Sequence, residues 1–290
     1  TIAESTYGSY SGLLRNPIDP WFRKKRITLK GLTAADIQAF YMEQSKRVKA
    51  NTVIHYHAVL HRALRYAVKT DLIPVNPADK VDRPRKNAYQ ASFYAERELH
   101  ALFAAVSGTR IEVPVKLAAF YGLRRSEICG LRWENINLEA GLLSIQEART
   151  EIGGVVVQKS PKTRKSIRRL GIAGLQDLKR ILQRAWERRR SNDPKEWVVL
   201  RPDGTPPKPD QLTQNLLMVV RKNGLPRISL HGLRHSFASV ANSQGVPMFD
   251  ISRTLGHSSM SVTSNIYTHL FDETETHTLN VVAKAIEGAE

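Results

Sequence analysis

Three short segments hold the residue types that do chemistry. The first is Tyr121-Gly122-Leu123-Arg124-Arg125-Ser126-Glu127 and the second is His231-Gly232-Leu233-Arg234-His235. The third, Leu255-Gly256-His257, is followed ten residues later by Tyr267 in Asn265-Ile266-Tyr267-Thr268-His269. Together they supply guanidiniums, imidazoles and a phenol, a set suited to a phosphate. His231 and Arg234, three apart at a helix start, point at one spot. His231 and His235 have the spacing of a metal-binding pair. Between them, however, Gly232-Leu233-Arg234 offers no carboxylate and puts a cation beside the site. A two-metal nuclease needs clustered acids, which none of these segments provides, so no metal and no cofactor is expected. Cys129, the single cysteine, reads as a small core residue rather than a nucleophile, because nothing near it in sequence supplies a base.

The elements that must position these groups follow from periodicity. Residues 96–106 and 114–120 read as helices, and 125–133 as a further helical segment after Gly122. Residues 142–148, 155–159 and 166–170 have strand character, which predicts one small antiparallel sheet. Leu175, Leu178, Ile181, Leu182, Ala185 and Trp186 share a helical face, and helices dominate again from Asp210. Toward the N-terminus, Thr33-Ala34-Ala35-Asp36 has the form of a helix cap ahead of Ile37, Phe40, Tyr41 and Val48. A second helix follows Asn51-Thr52, with Tyr56, Leu60, Ala63, Leu64 and Ala67 on one face until Pro74 and Pro77 stop it. On that helix His55, His57 and His61, beside Arg62 and Arg65, read as a basic face toward solvent or phosphate. Residues 79–92 lack apolar periodicity and carry Pro84 among Lys80, Arg83, Arg85 and Lys86, the pattern of a linker.

The partner for this chemistry is a polyanion. In 290 residues, 44 Lys plus Arg against 27 Asp plus Glu leave a net charge of +17, with a pI near 10.1. Hydrophobic residues make up 41%, enough for packed cores. Nucleic acid is the first expectation and an anionic membrane the second. No apolar run of about 18 residues and no charged leader ahead of an apolar stretch is present, so membrane spanning and secretion lose support. The chain reads as soluble and intracellular. Residues 1–92 hold 16 Lys or Arg against 7 acids, while 93–290 hold 28 against 20, so the N-terminal part is the denser basic surface.

Taken in order and spacing, these segments resemble the tyrosine recombinase (phage integrase) family, nearest to the integrases of conjugative transposons and integrative conjugative elements. Arg124 stands in its Gly-x-Arg-x-x-Glu pattern, His231 and Arg234 in its His-x-x-Arg box, His257 in its Leu-Gly-His box, and Tyr267 at its nucleophile. A lysine on a β-hairpin best fits Lys162, with Lys159 and Lys165 as rivals. The resemblance covers residues 93–290 strongly and 1–90 more loosely. It implies a helical core DNA-binding domain over 1–78, a basic interdomain linker over 79–92, and a catalytic domain over 93–290. The implied fold is mainly α with a small antiparallel β-sheet. Two departures stand out. Tyr121 occupies a position that is often Thr, outside the catalytic set. Thr1-Ile2-Ala3-Glu4 also runs directly into Ser5-Thr6-Tyr7, so a stretch, along with the family's arm-binding N-terminal domain, is expected to be missing from this chain.

The implied reaction is metal- and ATP-independent transesterification. Tyr267 attacks double-stranded DNA to form a 3′-phosphotyrosyl link, Arg124 and Arg234 neutralise the phosphate, and His231 takes the phenol proton. His257 adds a hydrogen bond and the hairpin lysine protonates the leaving oxygen. Glu127 is expected to steady Arg124, and His235 and His269 to be packing residues. After Arg253 one cation, Lys284, faces five acids, Asp272, Glu273, Glu275, Glu287 and Glu290. Leu279, Val282, Ala283 and Ile286 mark residues 274–287 as an amphipathic helix that, by the resemblance, docks on a neighbouring subunit of a tetramer. An accessory DNA-bending or excision factor is a further possible partner. The alternatives are a type IB topoisomerase-like enzyme that relaxes supercoils, and a catalytically silent DNA-binding regulator of the same fold. A basic RNA-binding protein is more distant, since no aromatic stacking motif is present.

Overall fold

The structure, a computed structural model, describes residues 4–85, 92–152, 154–159, 167–172, 174–189 and 191–256. It divides into two compact units, Thr1–Tyr89 with Ile152–Val155, and Gln90–Glu151 with Val156–Glu290. Among the described residues no helix is long and apolar enough to cross a membrane.

The first unit is built from helices α1 (Glu4–Leu13), α2 (Asp19–Lys24), α3 (Ala34–Ser45) and α4 (Ala50–Lys69), with a wide turn over Leu14–Ile18 between α1 and α2. Thr33 caps α3 as its sequence predicts. Its hydroxyl accepts from the Asp36 N–H at 3.2 Å, and the Asp36 carboxylate accepts the Thr33 N–H at 2.9 Å. Ile37, Phe40 and Tyr41 of α3 then meet Val53, Tyr56, Val59, Leu60 and Leu64 of α4 in one buried cluster. The three histidines of α4 do not share a face. His55 is exposed, whereas His57 is buried and bonded to the Tyr41 hydroxyl at 3.0 Å, and His61 pairs with Asp79 at 2.7 Å. The helical period explains this correction: His57 follows Tyr56 and lies four residues after Val53, on the edge of the apolar stripe.

The second unit comprises α5 (Glu96–Val106), α6 (Glu112–Tyr121), α7 (Arg125–Gly130), α8 (Gln176–Glu187), α9 (Pro209–Lys222), α10 (Leu230–Ser243) and α11 (Met248–Leu255). Among the described residues five strands accompany them: β1 (Ile136–Asn137), β2 (Leu142–Ile145), β3 (Ala148–Ile152), β4 (Val155–Lys159) and β5 (Arg168–Gly171). They make two small sheets rather than the single one expected: a three-stranded β1-β2-β5 sheet and a separate β3-β4 pair. The break falls after Ile145 because Leu143 and Ile145 bury against the core, whereas no residue of β3 is fully buried. Helix α7 is also shorter than the 125–133 reading. It stops at Gly130, where an added Cβ would lie 2.9 Å from the Ala148 Cα and the Glu147 carbonyl, and Trp133 opens a short 3-10 turn instead. α6 is the central helix, with Val115, Leu117 and Ala118 wholly buried, and α10 packs along it.

Candidate active site

Helix ends bring the first two chemical segments together. α6 ends on Gly122, whose φ of +59° turns the chain into the left-handed region, and α11 ends the same way on Gly256 at +66°. The last carbonyls of such helices carry partial negative charge and attract cations. Arg234, only 2% exposed, donates from Nη1 to the Gly122 carbonyl at 2.6 Å and from Nη2 to the Leu255 carbonyl at 2.9 Å. Arg124 donates from Nη2 to the Gly256 carbonyl at 3.0 Å. A Cβ at residue 122 would lie 2.3 Å from Leu255 Cδ2 and 3.2 Å from Phe237 Cδ1, so a larger side chain there requires the buried Leu255 to shift.

Arg124 caps α7 from the outside. Its backbone N–H donates to Glu127 Oε2 at 2.8 Å and its Nη1 to Glu127 Oε1 at 2.9 Å. The carboxylate of Glu127, nearly sealed from solvent, also receives Arg168 through Nη1 at 3.1 Å and Nη2 at 2.8 Å. Burial alone would raise the Glu127 pKa, but the hydrogen bonds and charges of Arg168 and Arg124 outweigh it, so Glu127 titrates below the usual carboxylate range.

α10 supplies the imidazoles. Ser229 caps this helix by accepting the Gly232 N–H at 3.0 Å, which sets His231 in the first turn and Arg234 one turn later. His231 reaches the surface, with its ring edge-on to His235 at 4.6 Å between centroids. Desolvation, then the charges of Arg234 and Arg124, lower the His231 pKa and hold the ring neutral near pH 7. His235 is buried, and desolvation followed by His231 and Arg234 pushes its pKa down to about 4. Among the described residues no group of three or more His, Cys, Asp or Glu side chains is placed to hold a metal. Burial pushes the Cys129 thiol up to about 12, so it is a protonated core residue at neutral pH.

Of the residues singled out from sequence, Arg124, His231 and Arg234 share this corner, with Glu127 bonded to Arg124. Lys162, Lys165, His257 and Tyr267 lie outside the described residues, as does the 274–287 helix. Lys159 is the last residue of β4. Two contributions to the geometry were not read from sequence. Tyr121 donates its hydroxyl to the Gly171 carbonyl at 2.8 Å, tying α6 to β5. Arg168 stands opposite Ile145, and Leu170 opposite Leu143, so Arg168 shares the buried face of the sheet. That alternation was its available signal, since an arginine on an apolar strand face needs a buried carboxylate.

Residues 93–274 match the Phage integrase family. The chain belongs to that family. It is 25% identical over 311 residues to the XerC-like tyrosine recombinase of Caldanaerobacter subterraneus subsp. tengcongensis, covering 96% of this chain and 77% of that one. It is 25% identical over 281 residues to the ICEBs1 integrase of Bacillus subtilis, covering 91% and 74%. The solved structure of the Tn1549 transposon integrase with a circular intermediate DNA has the same fold. Its TM-score is 0.73 at 18% identity, over 94% of this chain and 98% of that one. The expectations of a mainly helical tyrosine recombinase fold and of a site-specific recombinase of the integrase type are thereby borne out.

Proposed function

We propose that this integrase cuts and rejoins double-stranded DNA through a covalent 3′-phosphotyrosyl intermediate, with Tyr267 as nucleophile. The phenol oxygen attacks the scissile phosphorus and its proton passes to His231. The bond from phosphorus to the 5′ oxygen breaks, and that oxygen takes a proton from Lys162. Arg124 and Arg234 neutralise the charge that gathers on the non-bridging oxygens, and His257 adds a hydrogen bond there. Rejoining is the reverse attack by a new 5′ hydroxyl. Because the phosphotyrosyl ester conserves the bond, no ATP enters.

The observation that carries this reading is the pair of guanidiniums oriented by the carbonyls of Gly122, Leu255 and Gly256 beside an imidazole held neutral. Residues 1–78 would serve as the core DNA-binding domain, 79–92 as a basic linker and 93–290 as the catalytic domain. The enzyme would act at the bacterial nucleoid in the cytoplasm, on the ends of a mobile element, as a tetramer assembled through helix 274–287. An accessory DNA-bending factor would complete the assembly.

The test is trapping on a nicked suicide duplex. Wild-type protein should give a covalent adduct with EDTA present, and Tyr267→Phe should bind the duplex equally well and give none. An adduct that survives in Tyr267→Phe removes the nucleophile assignment, and loss of cleavage on chelation removes the metal-independent mechanism.

A further inference from the structure

We infer that Arg168 is a positioning residue for the cleavage step, acting on the scissile phosphate only through Arg124. The inference rests on the proposed role of Arg124 and adds to it the means by which that guanidinium is held. Arg124 is about one-third exposed, with its side chain at 36%, and a long side chain at that exposure samples several rotamers unless anchored. Among the described residues it is anchored by the Glu127 carboxylate and the Gly256 carbonyl. Arg168 bonds the first and lies beside the residue that supplies the second. It forks onto Glu127 through Nη1 at 3.1 Å and Nη2 at 2.8 Å, and a Cβ on Gly256 would lie 3.1 Å from its Nη1.

A carboxylate has about four acceptor positions, and Glu127 uses them on the backbone N–H and Nη1 of Arg124 and on the two nitrogens of Arg168. The Arg168–Glu127 pair is nearly dry, at 8% and 7% exposure, so its bidentate geometry is stiff. Arg124 therefore receives its orientation from a carboxylate that Arg168 has already fixed. Removing Arg168 leaves Glu127 buried with half of its donors and more loosely held, and the tip of Arg124 moves with it. Lysine keeps the charge but offers a single point of contact in place of the fork. Arg168 also opens β5, the strand that follows residues 160–166 and thus Lys162 in sequence. The same carboxylate then links the arginine to the chain that brings the proposed general acid.

The experiment measures single-turnover cleavage of the nicked suicide duplex, duplex affinity and melting temperature. The variants are Arg168→Lys, Arg168→Gln, Arg124→Lys and the double variant Arg124→Lys with Arg168→Gln. Arg168→Gln should slow cleavage about 100-fold with duplex affinity unchanged, as expected of a misplaced catalytic group. In the Arg124→Lys background the same change should cost less than about threefold, because the two act as one unit. An equal loss in both backgrounds, or wild-type cleavage in Arg168→Gln, overturns the inference. If Arg168→Gln fails to fold, Arg168→Lys carries the same comparison with the charge retained. Tyr267→Phe serves as the control on the underlying reading. An adduct in that variant refutes the tyrosine chemistry, whereas a null Tyr267→Phe together with additive arginine variants refutes only the role of Arg168.

Discussion

His235 is a buried imidazole whose surroundings disfavour its charged form. At 2% exposure beside His231 and Arg234 its pKa falls from 6.5 to about 4. Well above pH 6.5 neither the folded nor the unfolded form of this imidazole is charged, so it contributes no pH dependence there. As pH falls further, the unfolded chain binds a proton that the folded chain refuses, and stability is lost progressively down to about pH 4. The full span corresponds to about 3 kcal/mol. His57 and His231, also lowered chiefly by desolvation, add slopes of the same sign. Glu127, lowered as well, contributes stability that disappears only at the acid end, below the ordinary carboxylate pKa. Thermal melts between pH 7.5 and pH 5 should therefore show a falling melting temperature, and His235→Gln should flatten that fall. Parallel curves for the two proteins would exclude His235 as its source.

At the scale of elements, the site depends on two helix C-termini meeting without side-chain bulk. Gly108 and Gly122 both have positive φ, at +71° and +59°, but only Gly122 is crowded; nothing lies within 4 Å of a Cβ at residue 108. Gly108→Ala should cost about 1 kcal/mol of backbone strain. Gly122→Ala adds a collision with Leu255 and should cost about 3 kcal/mol or more in denaturant melts, together with loss of cleavage as Arg234 is displaced. Equal costs at the two positions would show that packing between α6 and α11 is loose. The same elements show what sequence carries. α5 begins and ends where its periodicity says, and the cap of α3 is written in Thr33 and Asp36, because both signals are local. α1 and α2 escaped the reading because Gly8, Gly12, Pro17 and Pro20 look like breakers. Pro20 in fact stands in the first turn of α2, where its missing N–H costs nothing. The site was legible as residue types at family spacing, since Arg124, Glu127, His231 and Arg234 each sit in a short motif. The hold on Arg124 was not, because Arg168 reaches Glu127 across 41 residues and only the strand register brings it there.

For the whole molecule, charge separates two tasks. The net +17 predicts duplex affinity that falls steeply with salt, by roughly 0.9 log units per tenfold salt for each phosphate neutralised. That excess is densest in residues 1–92, while residues 254–290 hold one cation against five acids. An acidic segment gains nothing by lying on phosphate, and the apolar face that the spacing of Leu279, Val282, Ala283 and Ile286 predicts would gain by meeting protein. Under the proposed tetramer, deleting residues 272–290 should separate two quantities that otherwise travel together. Binding of the first subunit to a single site, set by the basic surface, should be unchanged or slightly tighter as negative charge is removed. The cooperative step to higher complexes on paired sites should weaken by about tenfold or more, the loss of about 1.4 kcal/mol of interface. A band-shift titration over single-site and two-site duplexes reads both from the same gel. If the two steps weaken together, the tail supports the fold of its own subunit; if neither changes, assembly runs through another surface.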